Sequence, residues 1–462
     1  MPDLIIRGGT LVTMDPGRRV LQDAEIAVED GIITSVGKSG DYNKSKASEV
    51  MDAKGKLILP GLIDTHVHLA QALIRGTADD LSLVDWLQHR IWPLQGSYTE
   101  SDGLLSAQLC VLEMLKSGTT TFLESGLHRR YGNEAIAAMV EKSGIRGILS
   151  KMIMDSGGYG GRSGIMHPGM VEDKDACISE AVDLFKRWNG RSRGRIGVWL
   201  AARSLGGVSP SLYREIGRLA GELGTGITMH LNEVPEDSRF SMTNYGMRPV
   251  HFAKSVGLLD QRTVFAHMVW ATDEEISILG TARSNVAHCP ASNSKLASGT
   301  ARVPELIASG VNVGLGCDGA PCNNTYDMFR EMRLVPLFQR KRLMTHGAID
   351  PYTVLEMATM GGARALGLQD KVGSIEVGKR ADIVILGCER PAYTPSIDPV
   401  STVVYTATGN DVDTVIADGL TVVKDHKVLT LNEEKILTDA RHTIPKILER
   451  AGIGGVSDLL RN

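Results

Sequence analysis

Two histidines separated by one residue follow an apolar run near the start of the chain. The run, introduced by Pro60 and Gly61, has the composition of a buried strand. Side chains at positions i and i+2 of a strand share a face, so His66 and His68 can present two imidazole nitrogens to one point. Such a pair can bind a metal ion, but histidines at a strand end are often held by hydrogen bonds alone, so the rest of the chain must decide.

Further metal-binding side chains stand at the ends of later apolar runs. His230 and His267 stand at the ends of the fifth and sixth runs, and Asp318 follows the eighth. Chance explains this many potential ligands at strand ends poorly, whereas one shared site explains them directly. We therefore predict one metal ion with water in an open position, bound by His66, His68, His230 and Asp318.

This donor set predicts hydrolytic chemistry. Three imidazoles and a carboxylate favour Zn²⁺, with Fe²⁺ as the alternative, over Ca²⁺ or Mg²⁺. Such a metal lets bound water ionise near neutral pH. Asp318 can take the water proton, Glu233 can deliver a proton to the substrate, and His267 can orient the attacking oxygen. Glu233 follows His230 by three residues, so it can join the site only if the strand has ended and the chain has turned.

The elements that must position these residues alternate between strands and helices. Eight apolar runs separated by helical patterns predict a parallel (β/α)8 TIM barrel over residues 58–368, with catalytic residues at the carboxyl ends of its strands. The fourth run has no lysine at its end to support a second metal, so we predict one metal, with Lys151 of the third run as the open question. The eight runs are 59–66, 118–124, 145–154, 195–202, 226–231, 263–269, 284–289 and 311–317.

Both ends of the chain carry short alternating strands separated by turns. Neither end has enough strands for a core of its own, so we predict a small β-sandwich domain formed jointly by residues 1–57 and 369–430. A C-terminal helical segment is expected over residues 431–462.

Composition favours a soluble protein with a small partner. The 462 residues carry a net charge of −4 without a block of like charge, which argues against nucleic acid and membrane surfaces. The N-terminus lacks the pattern of a secretory signal, and no apolar run is long enough to span a bilayer. The six cysteines are scattered without a Cys-x-x-Cys pair, so we expect reduced thiols and a cytoplasmic location.

Six motifs spread over nearly the whole chain point to a known family. They are PGLIDTHVH (60–68), EMLKSGTTTF (113–122), HLNE (230–233), HCPASNSKL (288–296), DGAPCNN (318–324) and GKRADIV (378–384). In these motifs the chain resembles the amidohydrolase superfamily, in particular its one-metal aminohydrolase branch of methylthioadenosine/S-adenosylhomocysteine deaminases, guanine deaminases and triazine hydrolases. The resemblance implies the same barrel with a flanking β domain, and the same roles for the metal ligands, Glu233 and His267.

The resemblance also marks positions that are expected to bind the substrate. Trp86 matches a tryptophan that lines the pocket of the adenosine-derivative deaminases. Gln95 stands where those enzymes carry a glutamate that holds the ribose hydroxyls, and a neutral amide accepts hydrogen bonds more weakly than a carboxylate. Arg203 replaces a histidine after the fourth strand, and Cys322 stands where serine is usual.

Two of these positions favour a different substrate. Arg203 and Gln71 resemble the arginine and glutamine with which guanine deaminases hold the carbonyl side of the purine. Arginine offers fixed donors to a ring oxygen, and glutamine offers both a donor and an acceptor. His288 is also expected among the substrate-binding residues, in a supporting rather than a catalytic role.

The resulting expectation is a metal-dependent hydrolase that replaces an amino group on a purine-like ring with a carbonyl and releases ammonia. The overall resemblance favours an adenosine derivative, whereas Arg203 and Gln71 favour an oxo-bearing ring such as guanine. Two alternatives stay open: a hydrolase that removes a chloro or alkylamino group from a triazine-like ring, and a non-catalytic binding barrel. A homodimer or higher homo-oligomer is implied by the family alone, and the apolar residues of 328–344 can serve either an interface or the core.

Overall fold

Five strands open the chain, as its alternating pattern and turn residues predict. The computed structural model describes residues 2–38, 40, 47–159 and 164–454. Asp30 (φ 50°) and Gly31 (φ 72°) form the two-residue turn of the second hairpin, where both positions require the left-handed conformation. The five strands are β1 (Leu4–Val12), β2 (Val20–Glu29), β3 (Ile32–Lys38), β4 (Glu49–Asp52) and β5 (Leu57–Pro60).

Eight parallel strands then close into a barrel within the described part of the chain. Each strand pairs with the next, and the last pairs with the first through Leu315 and Asp64. Their residues are almost all buried because helices cover the outer face, as in other all-parallel sheets. The predicted TIM barrel is therefore confirmed. The barrel strands are β6 (Leu62–Val67), β7 (Thr119–Glu124), β8 (Arg146–Ile153), β9 (Ile196–Ala202), β10 (Ile227–Leu231), β11 (Thr263–His267), β12 (Asn285–His288) and β13 (Asn312–Leu315).

The last strands return to the sheet formed by the first. They are β14 (Ile383–Leu386), β15 (Val412–Ala417), β16 (Leu420–Lys424) and β17 (Lys427–Val428). Strand β14 pairs antiparallel with β5, so the described residues of both chain ends form one nine-stranded sheet that branches at β1. This sheet has an apolar cluster of its own, including Ile26, Ile58 and Ile383. A small β domain built from both ends is thus confirmed.

Helices connect the barrel strands and pack outside them. Helix boundaries follow local signals: Pro210 starts one helix at a position that needs no amide donor, and Gly224 (φ 65°) ends it in the left-handed conformation. The helices are α1 (Leu83–Trp86), α2 (Trp92–Gly96), α3 (Glu100–Lys116), α4 (Asn133–Ser143), α5 (Lys174–Trp188), α6 (Arg191–Gly194), α7 (Pro210–Leu223), α8 (Pro235–Tyr245), α9 (Pro249–Ser255), α10 (Asp273–Ala282), α11 (Pro290–Lys295), α12 (Val303–Ala308), α13 (Ala320–Asn323), α14 (Met328–Leu343), α15 (Pro351–Glu356), α16 (Gly362–Ala365), α17 (Pro399–Tyr405) and α18 (Glu433–Arg450).

A buried ion pair joins the barrel to the small sheet. Arg146 of β8 lies 3.1 Å from Asp418 and 3.5 Å from Asp382, and all three side chains are buried. The Asp382 carbonyl accepts a 2.8 Å hydrogen bond from the amide of Gly61, just before the first barrel strand. The GKRADIV motif therefore fixes the start of the strand that carries His66.

The C-terminal helix α18 packs on the outside of the barrel against α3, where Lys116 pairs with Glu433 at 2.6 Å. Residues 455–462 of the predicted helical segment lie outside the described residues. In the part of the chain that the structure describes, no helix has the length and apolarity needed to cross a membrane.

Candidate active site

Backbone pairing brings the first and last barrel strands together at the site. The amide of Asp318 donates to the carbonyl of His66 at 2.8 Å, and the amide of His68 donates to the carbonyl of Asp318 at 3.3 Å. Residues 252 positions apart in the chain thereby become neighbours, because β13 closes the barrel on β6. The barrel closure itself assembles this part of the predicted cluster.

Three site loops begin with a non-glycine residue in the left-handed conformation. These are Asn232 (φ 53°), His267 (φ 74°) and Asp318 (φ 63°), each at or just after the end of its strand. This conformation is uncommon for such residues and occurs where the surrounding structure holds it, often at functional sites. At Asn232 the change of direction ends the strand and allows Glu233 to face the same site as His230.

The predicted metal ligands converge on one point. His68 Nε2 lies 3.2 Å from His230 Nε2, and Asp318 Oδ1 lies 3.5 Å from His66 Nε2 and 3.4 Å from His68 Nε2. One nitrogen from each of the three histidines lies within 4.8 Å of the other two. Two nitrogens bound to one tetrahedral zinc ion at 2.0–2.1 Å stand roughly 3.3 Å apart, so the observed spacing fits shared coordination.

The protonation states of the imidazoles also fit a metal. Burial is the largest cause that lowers the pKa of His68 and His230 well below the usual value, so both rings are neutral at pH 7. His230 Nδ1 lies 3.0 Å from the carbonyl oxygen of Arg203, which can only accept, so Nδ1 carries the proton and Nε2 presents its lone pair. Two neutral imidazoles whose Nε2 atoms lie 3.2 Å apart, that of His230 being unprotonated, suit a shared metal ion.

The two carboxylate oxygens of Asp318 have different surroundings. Oδ2 accepts a 2.6 Å hydrogen bond from the Ser292 hydroxyl, which leaves Oδ1 facing His66 and His68. Burial would raise the pKa of Asp318, but hydrogen bonding to His66 and the nearby histidines outweigh it and hold this pKa well below the usual value. Asp318 is therefore a carboxylate, the form that binds a metal ion.

Glu233 and His267 form a pair beside the ligand cluster. Glu233 Oε2 lies 3.6 Å from His267 Nε2, and His267 Nε2 lies 4.0 Å from Asp318 Oδ2. His267 Nδ1 donates to the Asn293 side-chain oxygen at 2.9 Å, which leaves its Nε2 facing the site. Burial raises the pKa of Glu233 to about 7, so this side chain can hold or release a proton near neutral pH.

Buried carboxylates behind the ligands hold the loops in place. Asp64 accepts from the amides of His66 at 3.0 Å and Cys317 at 3.2 Å, which ties both ends of the barrel closure together. Glu124 accepts from the amides of Leu69 at 2.8 Å and Gly126 at 3.0 Å. These supporting residues were not among the predicted site residues, although Asp64 lies in the PGLIDTHVH motif and Glu124 ends β7. Ser292 and Asn293, which hold Asp318 and His267, also lie inside the HCPASNSKL motif.

The predicted substrate residues are all buried. Gln71 lies against Gly319, next to Asp318, where a Cβ at Gly319 would stand 1.7 Å from Gln71 Oε1. Gln71 Oε1 and Trp86 Nε1 are buried and have no hydrogen-bond partner among the described residues. Gln95 is buried in α2. Gln71 and Trp86 are therefore available for polar contacts that the described chain does not supply.

Arg203 is buried next to the ligand cluster. Its side chain makes no hydrogen bond or ion pair within the described residues, and its exposed fraction is only 7%. After burial, the positive charge of Arg203 is the next cause that lowers the pKa of His230. Because this guanidinium has no partner among the described residues, it can donate to an acceptor that the described chain does not provide.

His288 and Cys322 are buried and differ in their contacts. Both ring nitrogens of His288 lack a partner among the described residues, and burial lowers its pKa to about 3. Cys322 Sγ lies 3.1 Å from the carbonyl of Gly319. Lys151, left open by the sequence, is occupied elsewhere: its ammonium donates to Glu172 Oε2 and to the Met152 carbonyl, both at 2.7 Å.

Comparison with known proteins agrees with the motif resemblance. Residues 57–422 match the amidohydrolase family. The 5'-deoxyadenosine deaminase of Methanobrevibacter smithii is 36% identical over 92% of this chain and 94% of its own length. The 5-methylthioadenosine/S-adenosylhomocysteine deaminase of Pelotomaculum thermopropionicum is 36% identical over 97% of this chain and all of its own length. The zinc-bound crystal structure of an adenosine deaminase from Xanthomonas campestris superposes with a TM-score of 0.90 at 29% identity, over 97% of this chain and 99% of that one.

Proposed function

The chain belongs to the amidohydrolase family, and we propose that it is a metal-dependent deaminase of a purine-like heterocycle. The observation that carries the proposal is the position of Glu233 and His267, 3.6 Å apart, beside three converging imidazoles and Asp318. A proton carrier next to a metal-binding cluster is the arrangement that hydrolysis of a ring amidine needs. The deaminases named above, which align with nearly the full chain, support the same reaction.

His66, His68, His230 and Asp318 would hold one divalent ion, which we propose to be zinc, with ferrous iron as the alternative. When bound, such an ion makes a water molecule nucleophilic near neutral pH. The protein contributes ligands whose free electron pairs already face one point. Ser292 and the Arg203 carbonyl keep Asp318 and His230 in that orientation.

The remaining work falls to the side chains that move protons. Glu233, with a pKa of about 7, donates a proton from its carboxyl group to the ring nitrogen next to the reacting carbon. His267 Nε2 accepts a hydrogen bond from the attacking water and orients it. The Asp318 carboxylate takes one proton from the attacking water and passes it to the departing amino group, and the second water proton returns to Glu233 as the new carbonyl forms. Overall, water supplies the new carbonyl oxygen, one proton for the ring nitrogen and one for ammonia.

Two substrate classes are favoured by different observations. The similarity of the whole chain to adenosine-type deaminases favours an adenosine derivative. The buried and unpartnered Arg203 favours a ring that carries an oxo group, to which its guanidinium can donate two hydrogen bonds, with Gln71 at the same ring. We propose the oxo-bearing ring as the second candidate, and Trp86, Gln95, His288 and Cys322 as further residues lining the substrate pocket.

Ammonia release by zinc-loaded protein tests this proposal. The substrates to compare are guanine, 8-oxoguanine, adenine, adenosine, methylthioadenosine, S-adenosylhomocysteine, cytosine, pterin and amino- and chloro-triazines, with chloride release measured for the last. Release from a purine or nucleoside supports deamination, and activity on triazines alone would favour the alternative hydrolase. Metal-loaded protein that is silent on every compound would contradict the proposal and favour a binding barrel.

The cellular location and the oligomeric state are also proposals. All six cysteines are free thiols, which supports a reducing, cytoplasmic location. Of the apolar residues on α14, Met328, Phe329 and Met332 belong to the core, whereas Leu337 and Leu343 are exposed. The exposed apolar residues that could serve a homo-oligomer interface therefore lie in the second half of this helix.

A further inference from the structure

We propose that Glu275 is a positioning residue that holds the loops of Glu233 and His267 against each other. This inference rests on the proposed function for its catalytic meaning, while its structural part stands on contacts alone. Glu275 lies on α10, behind the site, and its side chain is completely buried. It touches none of the proposed metal ligands, so it would act through the loops rather than on the substrate.

The Glu275 carboxylate gathers donors from three segments. Oε1 accepts from the Asn232 side chain at 3.2 Å and from the amide of Val250 at 3.1 Å. Oε2 accepts from Arg248 Nε at 2.9 Å and from the amide of Thr272 at 3.1 Å. One carboxylate thus joins the loop after β10, the start of α9 and the loop after β11.

Arg248 closes a ring of contacts around both catalytic loops. Its guanidinium pairs with Glu275 at 2.8 Å and donates to the carbonyl of Trp270 at 2.9 Å. The amide of Trp270 in turn donates to the carbonyl of Asn232 at 2.9 Å. Asn232 and Trp270 are therefore tied to each other directly and again through Arg248 and Glu275.

These ties act at the residues that direct the catalytic pair. Asn232 holds a left-handed conformation (φ 53°) and directly precedes Glu233. Trp270 follows His267 by three residues, and the Glu233 and His267 side chains lie 3.6 Å apart. A shift of either loop would change this distance, and displacements of about 1 Å can cost 10²-fold in rate.

Glu275 also forms a capping box with Thr272 at the start of α10, which stabilises this helix. Its contacts with Asn232, Val250 and Arg248 lie outside that capping box. The Glu275 carboxylate fixes the relative position of the two loops, because one oxygen accepts from Asn232 and the other from Thr272. The arrangement is therefore suited to fixing geometry.

A double-mutant cycle with Glu275→Gln and Glu233→Gln tests the catalytic part. The neutral amide keeps the volume of Glu275 but turns an NH₂ group towards Arg248. We expect kcat to fall about 10- to 100-fold with KM changed by less than about 3-fold, at full metal content. In the Glu233→Gln background, Glu275→Gln should lower kcat by less than about 2-fold, because the effects of substitutions at residues that act together are not additive. An equal loss of kcat in both backgrounds would overturn the proposal.

Asp411→Asn is the matched control, because Asp411 is a buried carboxylate that pairs with Arg390 in the small domain, away from the site. It should lower the thermal midpoint without changing kcat. If Glu275→Gln behaves like this control, the proposal is wrong.

Amide hydrogen exchange tests the structural part without any substrate. Glu275→Gln should speed exchange in residues 231–234 and 268–272, but not in β14 or β15, and unchanged exchange in both loops would overturn the proposal. If the wild-type protein deaminates no compound, the proposed function fails and exchange alone decides this inference.

Discussion

Glu233 Oε2 lies 3.6 Å from His267 Nε2, although Glu233 follows strand β10 and His267 ends strand β11. His267 is held from behind by Asn293 and faces the site with its free nitrogen. The amide of Glu233 is held by Asp237 at 2.8 Å. The pair is thus fixed on both sides, which is the preorganisation that proton transfer requires.

Glu233→Gln should keep the metal and lose turnover. Glutamine preserves the shape of the side chain but cannot donate and recover a proton, so we expect kcat to fall by about 10²- to 10⁴-fold. Ammonia release and metal content, measured on the same sample, check this. Near-normal turnover would remove Glu233 as the proton carrier.

Activity should decline as the pH rises above neutrality. Burial raises the pKa of Glu233 to about 7, so its acid form is present below that pH and is lost above it. Because the acid form donates the proton, kcat/KM should fall on the alkaline side of about pH 7. A pH profile on a substrate that does not titrate between pH 6 and 9 checks this, and constant kcat/KM up to pH 9 would contradict it.

Metal removal should destabilise the protein, and His68→Ala should abolish this effect. Zinc at 100 times its Kd adds about 2.7 kcal/mol, so the Tm of chelator-treated protein should rise by about 3 °C on zinc addition. Differential scanning fluorimetry with and without zinc measures the shift. His251→Ala, which changes a half-exposed histidine paired with Glu274, is the control and should keep the zinc-dependent rise. A full rise in His68→Ala would remove His68 from the ligand set.

Arg203→His should move substrate preference away from oxo-purines. The guanidinium can donate two parallel hydrogen bonds to an oxo-bearing edge, and losing one good polar contact of this kind costs about 1–3 kcal/mol. The ratio of kcat/KM for guanine to that for methylthioadenosine should therefore fall about 10- to 100-fold. Arg203→Lys keeps the positive charge but lacks the planar guanidinium, so it shows whether charge alone is enough for the preference. An unchanged ranking in both variants would assign Arg203 a structural role.

Glu172→Gln should destabilise the protein at neutral pH and lose this effect in acid. Burial would raise the pKa of Glu172, but hydrogen bonding to His128 and the charge of Lys151 lower it to about 2. A lowered pKa stabilises the fold above the ordinary value of 4.5, and this contribution disappears as the pH falls through about 2.

The difference in unfolding free energy between metal-free wild type and Glu172→Gln should therefore be roughly 2–4 kcal/mol at pH 7 and shrink towards zero near pH 2. Denaturant titrations at several pH values measure it. A difference that does not depend on pH would show that the charge of Glu172 is not the cause.

Much of the fold follows from local pattern. The eight apolar runs became the eight barrel strands because a strand buried on both faces must be apolar throughout, which is visible in sequence. The pairing of the chain ends was also predictable, since neither end alone has enough strands for a core. What local pattern did not predict is the partner of each buried charge, such as Asp64 with Cys317 or Glu275 with Asn232.

The sequence by itself determined which groups can carry the proposed chemistry: His66, His68, His230, His267 and Asp318 stand at or near strand ends, and parallel strands present their carboxyl ends on one face of a barrel. Only the tertiary structure decided which way the side chains turn. The left-handed conformation of Asn232 directs Glu233 to His267, and the contact with Glu172 occupies Lys151. The physical reason is that residue type sets what a group can do, whereas direction and pKa depend on neighbours that are distant in the chain.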